Sequence, residues 1–212
     1  MSSFPVGLRP CTGHRPKHAP GLIALTGGPG AGKTAVLEMA SRAFCQHVAI
    51  LPEAAGIVFG GGFPREPGDL VLRASQRAIF GIQREVERLV VDEGEVAIGL
   101  CDRGSIDGVA YWPGPPESFY AEFGTSIEQE LGRYAAVIHL ETPHAAQGYD
   151  HSNVLRVESA EEAHAIDARI AEAWRDHPQR TTIPSTPDFI DKALKALAAI
   201  RAQLPETCRP TA

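Results

Sequence analysis

Gly27-Gly28-Pro29-Gly30-Ala31-Gly32-Lys33-Thr34 decides how the rest of the chain is read. The octapeptide fits the pattern of Gly, four residues, then Gly-Lys-Ser/Thr. An apolar run, Leu22-Ile23-Ala24-Leu25, leads into it, and a helix-forming run, Ala35-Val36-Leu37-Glu38-Met39-Ala40, follows. A loop that leaves a buried strand, turns tightly and opens a helix aims successive backbone N–H groups into one concavity, an anion nest. Glycines permit positive φ in such a turn and keep Cβ atoms away from a phosphate. Lys33 then reaches the β- and γ-phosphates of ATP or GTP, and the Thr34 hydroxyl takes Mg²⁺. Gly28, Pro29, Gly30, Ala31, Gly32, Lys33 and Thr34 are therefore the expected nucleotide-binding residues.

The surrounding chain suits this reading. Its 212 residues are enough for one α/β unit with an ample core. Hydrophobic residues make up 43% and charged ones 22%, as in ordinary globular proteins. The net charge is −6 and no basic stripe is present, so no nucleic-acid partner is expected. A local arginine cluster can still serve a negatively charged substrate. Cys11, Cys45, Cys101 and Cys208 have no metal-ligand spacing in the sequence. Two of them lie in apolar helix or strand contexts and read as reduced core residues, which suits a cytoplasmic protein. No apolar run approaches the ~20 residues of a membrane span, so no membrane association is expected. Residues 1–20 carry Pro5, Pro10, Pro16 and Pro20 and read as a flexible arm.

Strands are expected at 21–26, 47–51, 96–101, 135–140 and 181–184. Helices are expected at 33–46, 69–92 and 188–204, with shorter ones at 117–123 and 126–132. A further helix over 159–177 opens on a capping box of Ser159 and Glu162. Residues 56–68, with Gly60, Gly61, Gly62, Pro64 and Pro67, read as a mobile loop, and 205–212 as a fraying tail. The alternation predicts one P-loop NTPase domain over 21–204, a three-layer α/β/α fold around a parallel five-stranded sheet, monomeric or homodimeric.

Ligands gather at the carboxyl ends of the strands in such sheets. Glu53 stands after the second strand and Asp102-Arg103 after the third. Asp102 ends an apolar run, where a carboxylate holds Mg²⁺ or accepts a proton. Arg103 is placed to stabilise charge on a transferred phosphoryl group or to hold substrate. Glu53 is a candidate general base or acceptor-binding group. Asp107 and Tyr111 repeat one face of a following turn. Gln83 lies on the long helix expected to face an acceptor, with Arg73, Gln76 and Arg77. Arg156 falls where a lid would reach the nucleotide phosphates. His144 and His151 in the same segment read as solvated loop residues.

Four segments resemble one family, the AAA domain of the NadR type found in ribosylnicotinamide kinases. They are Thr26 to Thr34, Leu51-Pro52-Glu53-Ala54-Ala55, Asp102-Arg103-Gly104 with Asp107 and Ala110-Tyr111, and Arg156 before Glu161-Glu162-Ala163. The resemblance implies a fold closer to nucleoside and nucleotide kinases than to ring-forming AAA machines. It implies that Lys33 and Thr34 bind ATP–Mg²⁺, that Asp102 serves metal or base chemistry, and that Glu53, Arg103 and Asp107 face the acceptor. The Gly/Pro-rich stretch at 60–67 departs from the family pattern. Two functions follow as expectations. One is a kinase that transfers the ATP γ-phosphate to a hydroxyl of a small, nucleoside-like acceptor. The other is a nucleotide-dependent switch without an acceptor.

Overall fold

The computed structural model describes residues 19–143 and 159–208. Five strands form one parallel sheet in the order β2-β3-β1-β4-β5. They are β1 (Gly21–Thr26), β2 (Val48–Leu51), β3 (Ile98–Asp102), β4 (Tyr134–Leu140) and β5 (Arg180–Ile183). Both faces are buried, so β1 is apolar at every position from Leu22 to Leu25. Ile23 and Leu25 point to one face, Leu22 and Ala24 to the other. The first face packs α1 (Lys33–Ala43) and α7 (Phe189–Gln203). The second packs α3 (Asp69–Glu93), α6 (Ala160–Ala173) and a 3₁₀ segment, Ser105–Tyr111. The result is the expected three-layer α/β/α fold around a parallel five-stranded sheet.

Connectivity places the site. From β1 the chain passes through α1 to β2, skipping the position that β3 later fills. From β3 it crosses β1 in the other direction, through α4 (Pro116–Phe123) and α5 (Ile127–Leu131), to reach β4. The carboxyl ends of β1 and β3 therefore flank a crevice where the winding reverses.

Boundary residues follow local chemistry. Ser159 and Glu162 form the expected capping box at α6, and Ser126 with Gln129 forms another at α5. Gly94 ends α3 in the left-handed conformation, φ 62°. Asp188 caps α7 by accepting from the Ile190 N–H.

Four expectations are corrected. Residues 56–68 are not all loop: α2 (Ala54–Gly60) occupies their start and packs on α3. Its two glycines oppose a helix, but Ala54 and Val58, one turn apart, are both buried, and that packing outweighs propensity. The first helix stops at Ala43, because Phe44 adopts an extended backbone and turns into the core. On α3, where Leu72, Ile79, Ile82, Val86, Leu89 and Val90 fall near helical spacing, the apolar stripe is buried only in part: Val86 and Val90 pack on the second core cluster. Leu72 and Leu89 are exposed, whereas Ser75, Gln76, Gln83 and Glu87 are buried. The C-terminal stretch is folded at least to Cys208, which is 4% exposed on a 3₁₀ turn, Glu206–Cys208. No helix of the described residues is long and apolar enough to cross a membrane.

Candidate phosphotransfer site

The loop after β1 has the backbone its glycines require. Gly27 takes φ 137°, and a Cβ there would lie 2.2 Å from the Leu140 carbonyl oxygen. Gly32 takes φ 93° as the N-cap of α1, where a Cβ would meet the Phe189 ring at 2.5 Å. Lys33 opens α1 and is 8% exposed. Its Nζ donates to the carbonyls of Gly27 (2.8 Å) and Gly28 (3.0 Å). Burial lowers its pKa to about 8, and the neighbouring Arg103 charge works in the same direction. Thr34, one residue on, is exposed, and it and Lys33 line one cavity.

Two residues that the sequence reading missed hold this loop. Asp167 on α6 accepts from the Gly28 N–H (2.6 Å) and the Thr142 N–H (3.0 Å), and His139 Nε2 lies 3.2 Å from it. Burial alone would raise its pKa. The His139 contact and the two backbone donors outweigh that and hold it below the usual value. Lys192 on α7 donates to the carbonyls of Ala31 (2.9 Å) and Glu141 (2.6 Å). Burial lowers its pKa to about 8. A signal for both exists in the sequence. Each is a charged residue on an otherwise apolar buried stripe, Ala163/Ile166/Ile170 for Asp167 and Ala193/Ala196/Ile200 for Lys192.

The ends of β2 and β3 bring Glu53, Asp102 and Arg103 together. Arg103 Nε donates to Glu53 Oε1 at 2.6 Å, and its Nη1 reaches the Gly27 carbonyl at 3.3 Å and lies 3.5 Å from Asp107 Oδ2. Its guanidinium sits over the Tyr111 ring, 5.8 Å from the centroid. Arg103 is the one non-glycine residue with positive φ among the described residues, at 75°. A strained backbone at the meeting point of two ion pairs marks a site whose geometry the surrounding structure imposes. Burial would raise the Glu53 pKa, but the Arg103 charge and hydrogen bond outweigh it and hold the carboxyl below its usual value. Asp102 differs. Burial pushes its pKa up to about 6, despite the opposing Lys33 charge. Its Oδ1 is buried and has no hydrogen-bond partner among the described residues. An orphaned carboxylate oxygen sharing a cavity with the Thr34 hydroxyl is a donor set suited to Mg²⁺.

One cavity of about 390 Å³ joins these groups to a second half. Pro29, Gly30, Lys33 and Thr34 line one end, and Phe59, Tyr111, Phe80 and Phe119 contribute aromatic surface to the other. Gln76, 6% exposed, lines the aromatic end, and the absence of a side chain at Gly108 lets its amide approach. Gln83, expected to meet the acceptor, lines the cavity. Its Nε2 donates to Glu87 Oε1 (2.7 Å) and to the Arg103 carbonyl (3.3 Å), so it supports the strained residue. Asp107, expected to face the acceptor, also lines the cavity and is 2% exposed. Its carboxylate accepts from Thr26 Oγ1 (2.8 and 2.6 Å) and Trp174 Nε1 (2.6 Å), which makes it a brace for Arg103. Arg73 bonds the Pro113 carbonyl and Arg77 pairs with Glu122, both away from the phosphate loop. Arg156, His144 and His151 lie outside the described residues.

A family model described as an AAA domain matches residues 22–191, a span running from β1 into α7. The chain belongs to this AAA-domain family. Among solved structures, thymidylate kinase from Ehrlichia chaffeensis superposes on this AAA-domain chain with a TM-score of 0.57 at 14% identity. The match covers 86% of this chain and 99% of the kinase chain. At that identity the likeness is one of fold. No curated protein matches the sequence.

Proposed function

We propose that this AAA-domain protein is a small-molecule kinase that transfers the γ-phosphoryl group of ATP or GTP to a hydroxyl of a nucleoside-like acceptor. One observation carries the reading. A single cavity runs from the phosphate loop to an aromatic pocket, and the Glu53–Arg103 pair lies on its wall. In this reading the loop amides and Lys33 hold the β- and γ-phosphates, while Thr34 and Asp102 hold Mg²⁺, which neutralises charge on the phosphates when bound. Arg103 presents a fixed positive charge to the equatorial oxygens of the group in transfer. Glu53, kept ionised by Arg103, accepts the proton of the attacking hydroxyl. The hydroxyl oxygen bonds the γ-phosphorus, the bond to the bridging oxygen breaks, and the nucleoside diphosphate leaves. The aromatic end favours an acceptor with a planar ring, since ring faces stack at little geometric cost. Arg156 is proposed from the sequence to close over the phosphates.

The test is a screen of nucleosides, nucleotides and sugars, ribosylnicotinamide among them, with γ-labelled ATP. Label is expected in one class of acceptor. Glu53→Gln is expected to lose about 10²–10⁴-fold in kcat with nucleotide affinity nearly unchanged. Transfer to water alone, across the whole panel, would favour a nucleotide-dependent switch. A switch, however, has no use for a carboxylate–guanidinium pair opposite the phosphates.

A further inference from the structure

The edge of the sheet opposite the phosphate loop holds a second cluster of reactive side chains. Cys45 follows α1, His47 immediately precedes β2, and Cys208 sits on the turn after α7. Although 163 positions separate Cys208 from Cys45 in the chain, the two Sγ atoms and a ring nitrogen of His47 all lie within 4.8 Å of one another. His47 Nδ1 is 3.3 Å from Cys208 Sγ and 3.8 Å from Cys45 Sγ. All three residues are buried, at 7%, 2% and 4% exposure for Cys45, His47 and Cys208. No other group of three or more His, Cys, Asp or Glu ligands comes together in this way among the described residues.

We propose that Cys45, His47 and Cys208 form a binding site for zinc. Two thiolates and one imidazole are a ligand set of the right softness for Zn²⁺. The spacing agrees as well. Bond lengths of about 2.3 Å to sulfur and 2.0–2.1 Å to nitrogen around a tetrahedral ion put S and N ~3.5 Å apart. The two observed separations fall on either side of that value. The backbone carrying the ligands is held from several directions. The His47 carbonyl accepts from the N–H groups of both Ala97 and Ile98, and the Cys208 N–H bonds the Pro205 carbonyl. Phe44, Leu204 and Ile200 belong to the same apolar cluster, which shields the site and strengthens its electrostatics. The three side chains supply three of the four tetrahedral positions. The metal ties the C-terminal turn to the α1–β2 connection, so its work is structural. The ligands bind as thiolates, and loading releases protons.

The test needs only the whole, reduced protein. Metal analysis after purification without chelator is expected to find about one zinc per chain. Titration of the stripped protein with Co²⁺ is expected to give an intense thiolate-to-cobalt charge-transfer band that saturates at one equivalent. Cys45→Ser and Cys208→Ser are expected to lose the band, whereas Cys101→Ala, which alters a thiol buried elsewhere in the core, keeps it. Wild-type protein that holds no zinc and gives no cobalt band overturns the proposal, as does a band that survives Cys45→Ser. A Cys45–Cys208 disulfide in freshly prepared, metal-free protein overturns it too. Should a serine variant fail to fold, the cobalt titration of the unmodified chain decides alone.

Discussion

At the scale of single residues, two neighbours at the end of β3 carry opposite electrostatics. The Asp102 pKa of about 6 in the folded chain lies above the ordinary aspartate value of 3.8 expected in the unfolded chain. The native state therefore binds this proton more tightly. The resulting stability is fully present below about pH 4 and is lost as pH rises towards 6, by on the order of 1–3 kcal/mol. Asp102→Asn is expected to raise stability at pH 8 by a similar amount and to abolish turnover, measured by urea unfolding and by label transfer. If the proposed kinase reading holds, kcat/KM of the unmodified protein is expected to fall on an acid limb near pH 6 as Asp102 protonates. Glu53, held low by Arg103, does not titrate there. Arg103 separates strain from charge. A side chain at φ 75° costs on the order of 1–2 kcal/mol, which glycine does not incur. Arg103→Gly is expected to leave stability within about 1 kcal/mol of the parent while kcat falls by on the order of 10²–10³-fold. A large loss of stability would show that the ion pairs, not the strain, dominate that position.

At the scale of elements, the phosphate loop is held by helices distant in sequence. Asp167 brings α6 to the Gly28 amide, and Lys192 brings α7 to the Ala31 carbonyl. Asp167→Asn replaces a carboxylate that takes two backbone N–H groups with an amide that has one acceptor oxygen. The variant is expected to lose about 1–3 kcal/mol of stability. Its KM for ATP is expected to rise on the order of tenfold, with a smaller change in kcat, since the loop and not the reacting groups is loosened. Steady-state kinetics with ATP as the varied substrate reads the split. The buried face of α3 shows a related division of labour. Gln76, Gln83 and Glu87 share one stripe, with Gln76 lining the cavity and Gln83 supporting Arg103. Glu87 accepts from the Tyr134 hydroxyl at 2.5 Å and pairs with Arg133, which holds the lower part of α3 to β4.

At the scale of the whole molecule, a nucleotide that binds only the folded chain stabilises it by mass action. At a hundred times Kd that amounts to about 2.7 kcal/mol, which for a chain of this length raises Tm by roughly 5–10 °C. ATP with Mg²⁺ is expected to give such a shift in a thermal melt and Lys33→Ala to lose most of it. An equal shift in the variant would remove Lys33 from nucleotide binding. The sequence by itself determined the phosphate loop, the strands that lead to it and the parallel architecture. These are written in local signals: glycines, apolar runs, caps and alternation. It also placed Glu53 and Asp102-Arg103 at strand ends, because the carboxyl ends of parallel strands converge. Tertiary structure alone decided the rest. It made a helix of Ala54–Gly60 by burying Ala54 and Val58, and it turned the polar stripe of α3 inward. Asp107 and Gln83 came to support Arg103 while lining the cavity, and Asp167, Lys192 and the Cys45–His47–Cys208 cluster came together. Those outcomes depend on which helices meet across the sheet. A one-dimensional pattern records the period of a buried face, but not the partner against which that face is buried.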